Sequence, residues 1–442
     1  MTRRWALVTC GIAALSLGAC ENDDQRITGP QGQGELRNYV SMGTSVSAGV
    51  QSAGIVYFTQ AVAWPAQVAF AARVPFRRPD IQTPGCRAPL AAPLQFGIRL
   101  GGRPITDTIC SPNFVNVVLP TNNVAVDGAT ATEALNVTSD SLVRAAATVQ
   151  AQANATTDAA LKARLNASAA SIRFRSRQLA RILGPNRTQV SAMLEQRPSF
   201  VSVEYGANEL LPGLSGIVIP GVTVTPFEAF RVSYDAIIDS VKSTGAKVLI
   251  VGLIENVSSF PALRRGSEIH AESLAFNAFF VTISENCRTT AANNLITVPE
   301  VVPGFLSAGR AAAGAGQPRP VLSCADRGTG VRDGIISEAE QAVVNGLITQ
   351  YNAYLQQKAT ENEFAYYSLG VLYNTAKDGL PFNLQNFLTS ASPYGPLISL
   401  DGVHPGTQGA RVLADAAVRA INTTYGFEIP PPIATPPVFA RR

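Results

Sequence analysis

Apolar residues recur along this chain in two alternating rhythms. Lys247-Val-Leu-Ile-Val-Gly-Leu253 is almost continuously apolar, as expected of a parallel strand covered on both faces. Leu36–Gly43 and Pro198–Gly206 read as strands that each end on a glycine, and Glu363–Leu369 as a late strand. Between them the period is helical. Thr225-Pro226-Phe227-Glu228 predicts a helix start, with Thr225 as N-cap, Pro226 at the first helical position and Glu228 three residues after the cap. Phe227, Phe230, Tyr234, Ile237, Ile238 and Val241 continue that helix at 3.6-residue spacing until Gly245 ends it. A final helix is expected from about Gly406 to Thr424, with Leu413, Ala417, Ala420 and Ile421 on one face. Strands that alternate with helices predict a doubly wound α/β fold around a mostly parallel sheet.

Two stretches exceed what such a sheet needs. Residues 52–120 are rich in Pro, Gly and Arg, and residues 131–185 are Ala-rich and helical in pattern. Both read as insertions over the top of the sheet, and a lid is one role the sequence leaves open for them. Together they leave one domain, residues 36–428, followed by a Pro-rich tail at 429–442. There are no internal repeats.

The amino terminus has a different character. Met1-Thr-Arg-Arg precedes an apolar run from Trp5 to Ala19, the layout of a secretory signal and too short to span a bilayer. That run ends Leu17-Gly18-Ala19-Cys20, which resembles a bacterial lipobox. The resemblance implies that residues 1–19 are removed and that Cys20 is lipidated. With Glu21 rather than Asp after the cysteine, it also implies sorting to the outer membrane, on its periplasmic or surface side. Residues 20–35 are polar and Gly-rich, a flexible tether holding a folded domain near the membrane.

Composition narrows the function classes. Charged residues are only 15 % of the 442, well below the usual ~25 %, which argues against a disordered chain or a coiled coil. Basic residues exceed acidic ones by four, or by two once Arg3 and Arg4 are removed, so there is no broad electrostatic footprint for nucleic acid. Besides Cys10 and Cys20 the cysteines are Cys86, Cys110, Cys287 and Cys324, an even number in a chain read as exported. They pair most simply as neighbours, Cys86–Cys110 and Cys287–Cys324, although spacing alone leaves three connectivities open. Their spacing fits no zinc motif, and only two histidines, His270 and His404, are present to complete a metal site.

Four short blocks carry candidate chemistry. Gly43-Thr-Ser45-Val-Ser-Ala-Gly49 puts a serine just past a strand, where α/β sheets place ligands. Asp401-Gly-Val-His404-Pro405 supplies, from one loop, a base and a carboxylate that could fix its tautomer. Gly206-Ala-Asn208-Glu209 offers an amide for a developing oxyanion, and Asn123-Val-Ala-Val-Asp-Gly128 ends at a glycine whose N–H could point into the same cleft. Each block alone is compatible with a simple turn. Together and in this order they resemble the SGNH hydrolase family, also called GDSL esterases or lipases.

That resemblance spans roughly Tyr39 to Gly426. It implies a three-layer α/β/α sandwich, flavodoxin-like, around a central mostly parallel sheet with inserted helical and loop segments. It further implies Ser45 as nucleophile, His404 as general base and acid, and Asp401 as the residue that orients the imidazole. The oxyanion hole would be the backbone N–H groups of Ser45 and Gly128 with the Asn208 amide. No cofactor or metal is implied. The substrate would be a small-molecule or lipid ester, with the apolar insertions and the tether favouring acyl lipids. The sequence departs from the family at Thr44 and Glu209, both usually Asp. Those departures motivate a rival reading as a non-catalytic surface binding module. An acyltransferase and a carbohydrate O-acetyl esterase are the remaining alternatives. The pattern G-x-S-x-G of the α/β-hydrolase elbow is absent.

Other signals read as ordinary. Asp326–Glu340 has an EF-hand flavour, but Val331 falls at a ligand position, and Ser337-x-x-Glu340 is better read as a capping box. His270 reads as a solvated loop residue, and Arg77, Arg78 and Arg87 as solvated surface.

Overall fold

The computed structural model describes residues 32, 34–328 and 330–432. The signal segment 1–19, Cys20, nearly all of the tether and residues 433–442 of the tail lie outside the described residues. The continuous apolar runs form strands β1 (Tyr39–Gly43), β2 (Phe200–Glu204), β3 (Lys247–Gly252) and β4 (Ala365–Ser368). They make one parallel sheet in that order, with Tyr39 beside Phe200, Phe200 beside Lys247, and Ala365 beside Leu249. Residues 122–126 run parallel along the outer edge of β1, where the Val124 and Val126 N–H groups donate to the Ser41 and Gly43 carbonyls. Every residue of β1 and β2 is buried, which is why these strands show no polar alternation. The hydroxyls among them are satisfied in a chain across the sheet, Tyr39 to Ser202 at 2.9 Å and Ser202 to Ser41 at 3.1 Å.

The helices that matter for the site are α1 (Ser45–Ala48), α2 (Ala131–Asn136), α3 (Ser139–Ala155), α4 (Ala159–Ile182), α5 (Phe227–Lys242), α6 (Glu338–Glu361) and α7 (Thr407–Tyr425). The predicted apolar stripe of α5 is its buried face, from Phe230 to Val241. Its cap is Pro226 rather than Thr225, because Thr225 is held in the preceding loop. There its N–H donates to the Glu209 carbonyl, and its own carbonyl accepts from the Tyr351 hydroxyl. The capping box Ser337/Glu340 opens α6 as the pattern predicts. α7 packs on β4 and on a helix at Trp64–Ala71, while α6 packs on β3 and α5 on α2.

The two stretches read as insertions behave differently. Residues 131–182 form α2 and the long pair α3–α4, which lie along each other. Within 52–120, however, the helix Trp64–Ala71 is core: Trp64 is fully buried, and seven of its eight residues are buried. The remainder of that stretch is largely irregular and closes a small second core, where Phe174 of α4 meets Ala48, Val50, Ile55 and Cys86.

Both disulfides join sequence neighbours, Cys86 to Cys110 and Cys287 to Cys324. The second stitches a region that the periodicity did not reveal, next to a three-stranded antiparallel sheet of Leu263–Arg265, Leu295–Thr297 and Ile335–Ile336. Strands this short carry no readable period. His270 lies in a helix at Gly266–Ala271, 3.5 Å from Glu285, and not in a loop. Among the described residues, no helix is long and apolar enough to cross a membrane.

Candidate active site

The carboxyl end of β1 is set by a buried acid from its neighbour. β1 stops at Gly43, Thr44 is extended, and Ser45 is the first residue of α1. Beneath this turn sits the Glu204 carboxylate, the last side chain of β2, only 1 % exposed. It accepts from the Thr44 N–H at 3.0 Å, the Thr44 hydroxyl at 2.7 Å, the Ser47 N–H at 3.3 Å and the Ser47 hydroxyl at 3.0 Å. Burial pushes the Glu204 carboxyl up from its ordinary range, and these donors pull it back in part. Trp64 Nε1 donates to the Ser47 hydroxyl at 3.2 Å, and Asn123 Nδ2 to the Ser47 carbonyl at 2.9 Å, locking α1 from the other side. Gly43 has to be glycine. Its φ is +156°, and a Cβ there would lie 3.0 Å from the Glu204 carbonyl oxygen.

The loop before α7 brings Asp401 and His404 together. His404 Nδ1 lies 2.8 Å from Asp401 Oδ2, while Oδ1 accepts from the backbone N–H groups of Val403 at 2.9 Å and His404 at 2.8 Å. The Ser399 hydroxyl adds 3.2 Å to Oδ1, and Ala53 N–H reaches Oδ2 from a distant loop. The Tyr373 hydroxyl pins the Val403 carbonyl at 2.5 Å. Burial raises the Asp401 carboxyl, but the adjacent imidazole and the loop N–H groups outweigh it and hold it down at about 2. Burial likewise lowers His404, and Asp401 outweighs it, so the imidazole sits above its ordinary value. With Nδ1–H donated to Asp401, Nε2 carries the free lone pair of the ring.

The other two blocks meet each other. Asn208 Nδ2 donates to the Ala129 carbonyl at 2.9 Å, which ties the β2 loop to the turn at Gly128, where φ is +73°. That turn is anchored to β1 by the Val126–Gly43 hydrogen bond, and the Asp127 charge acts on His404. Glu209 reaches under the start of α2, accepting from the Ala131 N–H at 2.6 Å. Burial lifts its carboxyl to about 7 against the pull of the nearby N–H groups.

Ser45 and His404 line the same cavity. Its volume is about 40 Å³, and its walls are almost wholly apolar: Leu211 and Leu214 after β2, Val257 and Phe260 after β3, and Val344 and Ile348 from α6. An amide-tied glycine turn, a carboxylate–imidazole pair and a serine thus converge at the carboxyl end of a parallel sheet, beside an apolar hole. No protein-family model, curated protein or solved structure matches the chain. Among the described residues no group of three His, Cys, Asp or Glu is arranged to hold a metal ion. Asp333, from the EF-hand-like stretch, uses its carboxylate inside its own loop, on the N–H groups of Ile335 and Arg327. Arg78 pairs with Asp80, and Arg87 lies over the Phe174 ring.

Sequence reasoning missed Glu204, Trp64, Tyr373 and Ala53. A readable signal existed for the first: a glutamate inside an otherwise apolar strand is a buried charge in need of partners. Glu209 yields a test. Its carboxyl is raised on folding from 4.5 to about 7, so the native state binds the proton more tightly. The resulting stability is fully present below the unfolded value and lost as pH rises through about 7. Glu209→Gln, neutral throughout, should therefore be more stable than wild type by up to about 3 kcal/mol near pH 8, and no more stable near pH 4. Urea melts at the two pH values read this difference.

Proposed function

We propose that the protein is an exported, lipid-anchored serine esterase that cleaves carboxylic esters bearing an apolar acyl chain. The observation that carries this reading is the Asp401–His404 pair, 2.8 Å apart, whose imidazole lines one apolar cavity with Ser45. Membership of the SGNH hydrolase family, with its α/β/α layering, belongs to the same reading. It is supported by the order of the four blocks and by β1 and β2, whose carboxyl ends carry the Ser45 and Asn208 blocks. The Thr44 departure is compatible with activity, because Thr44 takes up the Glu204 carboxylate through both its N–H and its hydroxyl.

In this mechanism the Ser45 hydroxyl attacks the ester carbonyl carbon while its proton passes to His404 Nε2. The oxyanion is met by the Ser45 and Gly128 N–H groups and by the Asn208 amide hydrogen that is not given to Ala129. Collapse expels the alcohol, which takes the proton from His404. A water, deprotonated by the same imidazole, then splits the acyl–Ser45 bond and restores the hydroxyl. The acyl chain occupies the cavity walled by Leu214, Phe260 and Ile348, which removes apolar surface from water at roughly 0.8 kcal/mol per methylene. Only neutral His404 can act as base. Since Asp401 raises its affinity for the proton, activity should rise with pH on a limb above 6.5, the ordinary histidine value.

Ser45→Ala and His404→Ala should each lower turnover of p-nitrophenyl butyrate by at least ~10³-fold, and a fluorophosphonate should label wild type at Ser45. A wild type that neither turns over esters nor takes the label is no serine esterase. Ile348→Trp, which fills the cavity, should cut kcat/KM for a decanoate ester at least ~10-fold and leave the acetate ester within about threefold. Equal effects on both esters would show that the acyl chain lies elsewhere.

The membrane partner rests on the Cys20 block alone. In a bacterial host fed an alkynyl fatty acid, the wild-type chain should carry the label and Cys20→Ser should not. A label that persists in Cys20→Ser would remove the anchor.

A further inference from the structure

The stretch 52–120 supplies one unexpected contact to the site: the Ala53 N–H on Asp401 Oδ2. This is the same oxygen that holds His404 Nδ1, and Ala53 is its donor from outside the histidine loop. The turn that delivers it is unusual. Gln51 and Gly54 exchange both backbone hydrogen bonds, at 3.0 and 3.1 Å, around Ser52 and Ala53, whose φ values are +54° and +52°. Two successive left-handed residues make a tight hairpin turn that usually takes Asn-Gly, because a Cβ is disfavoured there. Such strain persists only where surrounding contacts over-determine it.

Those contacts come from two sides. Toward the site, Ser52 N–H donates to the Ser399 hydroxyl at 2.8 Å, and Leu400 N–H to the Ser52 hydroxyl at 3.3 Å. From behind, Leu90 N–H donates to the Ser52 carbonyl at 2.7 Å. Arg99, 5 % exposed, spans the rest: Nη1 donates to the Ala53 carbonyl at 3.2 Å and the Ala88 carbonyl at 2.7 Å, and Nε to the Ile105 carbonyl at 2.8 Å. The charges that act on this guanidinium are Arg87, Asp107 and Asp401. Asp107 is already engaged by Arg103 at 2.8 Å, and Arg87 is repulsive. A buried cation bound only by carbonyls is therefore balanced in part by Asp107 and by Asp401.

We propose that Arg99 is a positioning residue for the Asp401–His404 pair, acting through the Ser52–Ala53 turn. The inference rests on the esterase reading. Arg99 holds the Ala53 peptide so that its N–H meets Asp401 Oδ2, the same oxygen that receives the imidazole. The planar fork reaches the three carbonyls from two nitrogens, Nε and Nη1, held in a fixed geometry that the single nitrogen of an ammonium does not reproduce. Misplacing a catalytic group by about 1 Å can cost 10²-fold in rate. Arg99 does not line the cavity, so its effect belongs in kcat and not in KM.

Arg99→Met and Arg99→Lys, each checked for a cooperative thermal melt, test this with a p-nitrophenyl ester and with the rate of fluorophosphonate labelling at Ser45. Arg99→Met should lower kcat at least ~10-fold with KM within about threefold, and slow labelling in parallel. Arg99→Lys, keeping charge but losing the fork, should fall between it and wild type, at least ~3-fold down. A folded Arg99→Met with wild-type kcat and labelling rate overturns the proposal, as does a loss confined to KM. If Arg99→Met does not fold, an unchanged Arg99→Lys overturns it. A wild type that is never labelled removes the esterase reading and this inference with it; a labelled wild type indifferent to Arg99 removes the inference alone.

Discussion

A carboxylate buried at the end of the second strand is the constraint on which the Ser45 turn depends. Glu204 is only 1 % exposed, and an unpaired charge there would cost several kcal/mol. It is tolerated because the turn after β1 wraps its N–H and O–H groups around it. The dependence runs both ways. The donors of Thr44 and Ser47 would otherwise be buried and unsatisfied, so the turn can close in only one way, and that way makes Ser45 the first residue of a helix.

The same device recurs at the other two loops. Asp401 collects N–H groups from its own loop and from Ala53, and Glu209 takes the first N–H of α2. In each case an acid carried by one segment accepts a backbone N–H from a segment 78 residues or more away, 160 for Thr44, 348 for Ala53 and 78 for Ala131, and at Glu209 the second oxygen is left without a partner. Backbone donors are fixed by the fold and have no rotamers to lose. Carboxylates bonded to them stay put while low dielectric strengthens each bond. The arrangement assembles loops from five parts of the chain with little help from surface ion pairs, which are worth little individually.

What was legible in the sequence follows from the range of the signal. β3 and α5 announce themselves because their apolar patterns run for six residues or more, and the Asp401–His404 contact because both partners sit on one short loop. The α5 cap was misread by one residue, since Thr225 is recruited by Glu209 and Tyr351, partners that local pattern cannot see. Trp64–Ala71 looked like cover because its neighbours are rich in Pro, Gly and Arg, yet its own apolar residues close the core against α7. The antiparallel strands near Cys287–Cys324 are two or three residues long, too few for any rhythm. Arg99 was invisible for a related reason: an arginine in a Gly/Pro-rich stretch reads as surface, and only the fold reveals the carbonyls that converge on it.

The cavity sharpens the contrast between what holds the site and what the site would hold. The charged groups that position Ser45 and His404 lie behind them, sealed by Trp64, Tyr373 and the sheet, while the cavity in front is lined by leucine, isoleucine, valine and phenylalanine. Polarity on one side and apolar walls on the other suit a substrate that is polar at a single carbonyl and hydrocarbon beyond it. Water admitted to such a hole would find few partners, so an apolar chain gains by displacing it. The network that orients the imidazole includes backbone N–H groups of Val403, His404 and Ala53 that only proline at those positions would delete, so the network does not depend on Ser45.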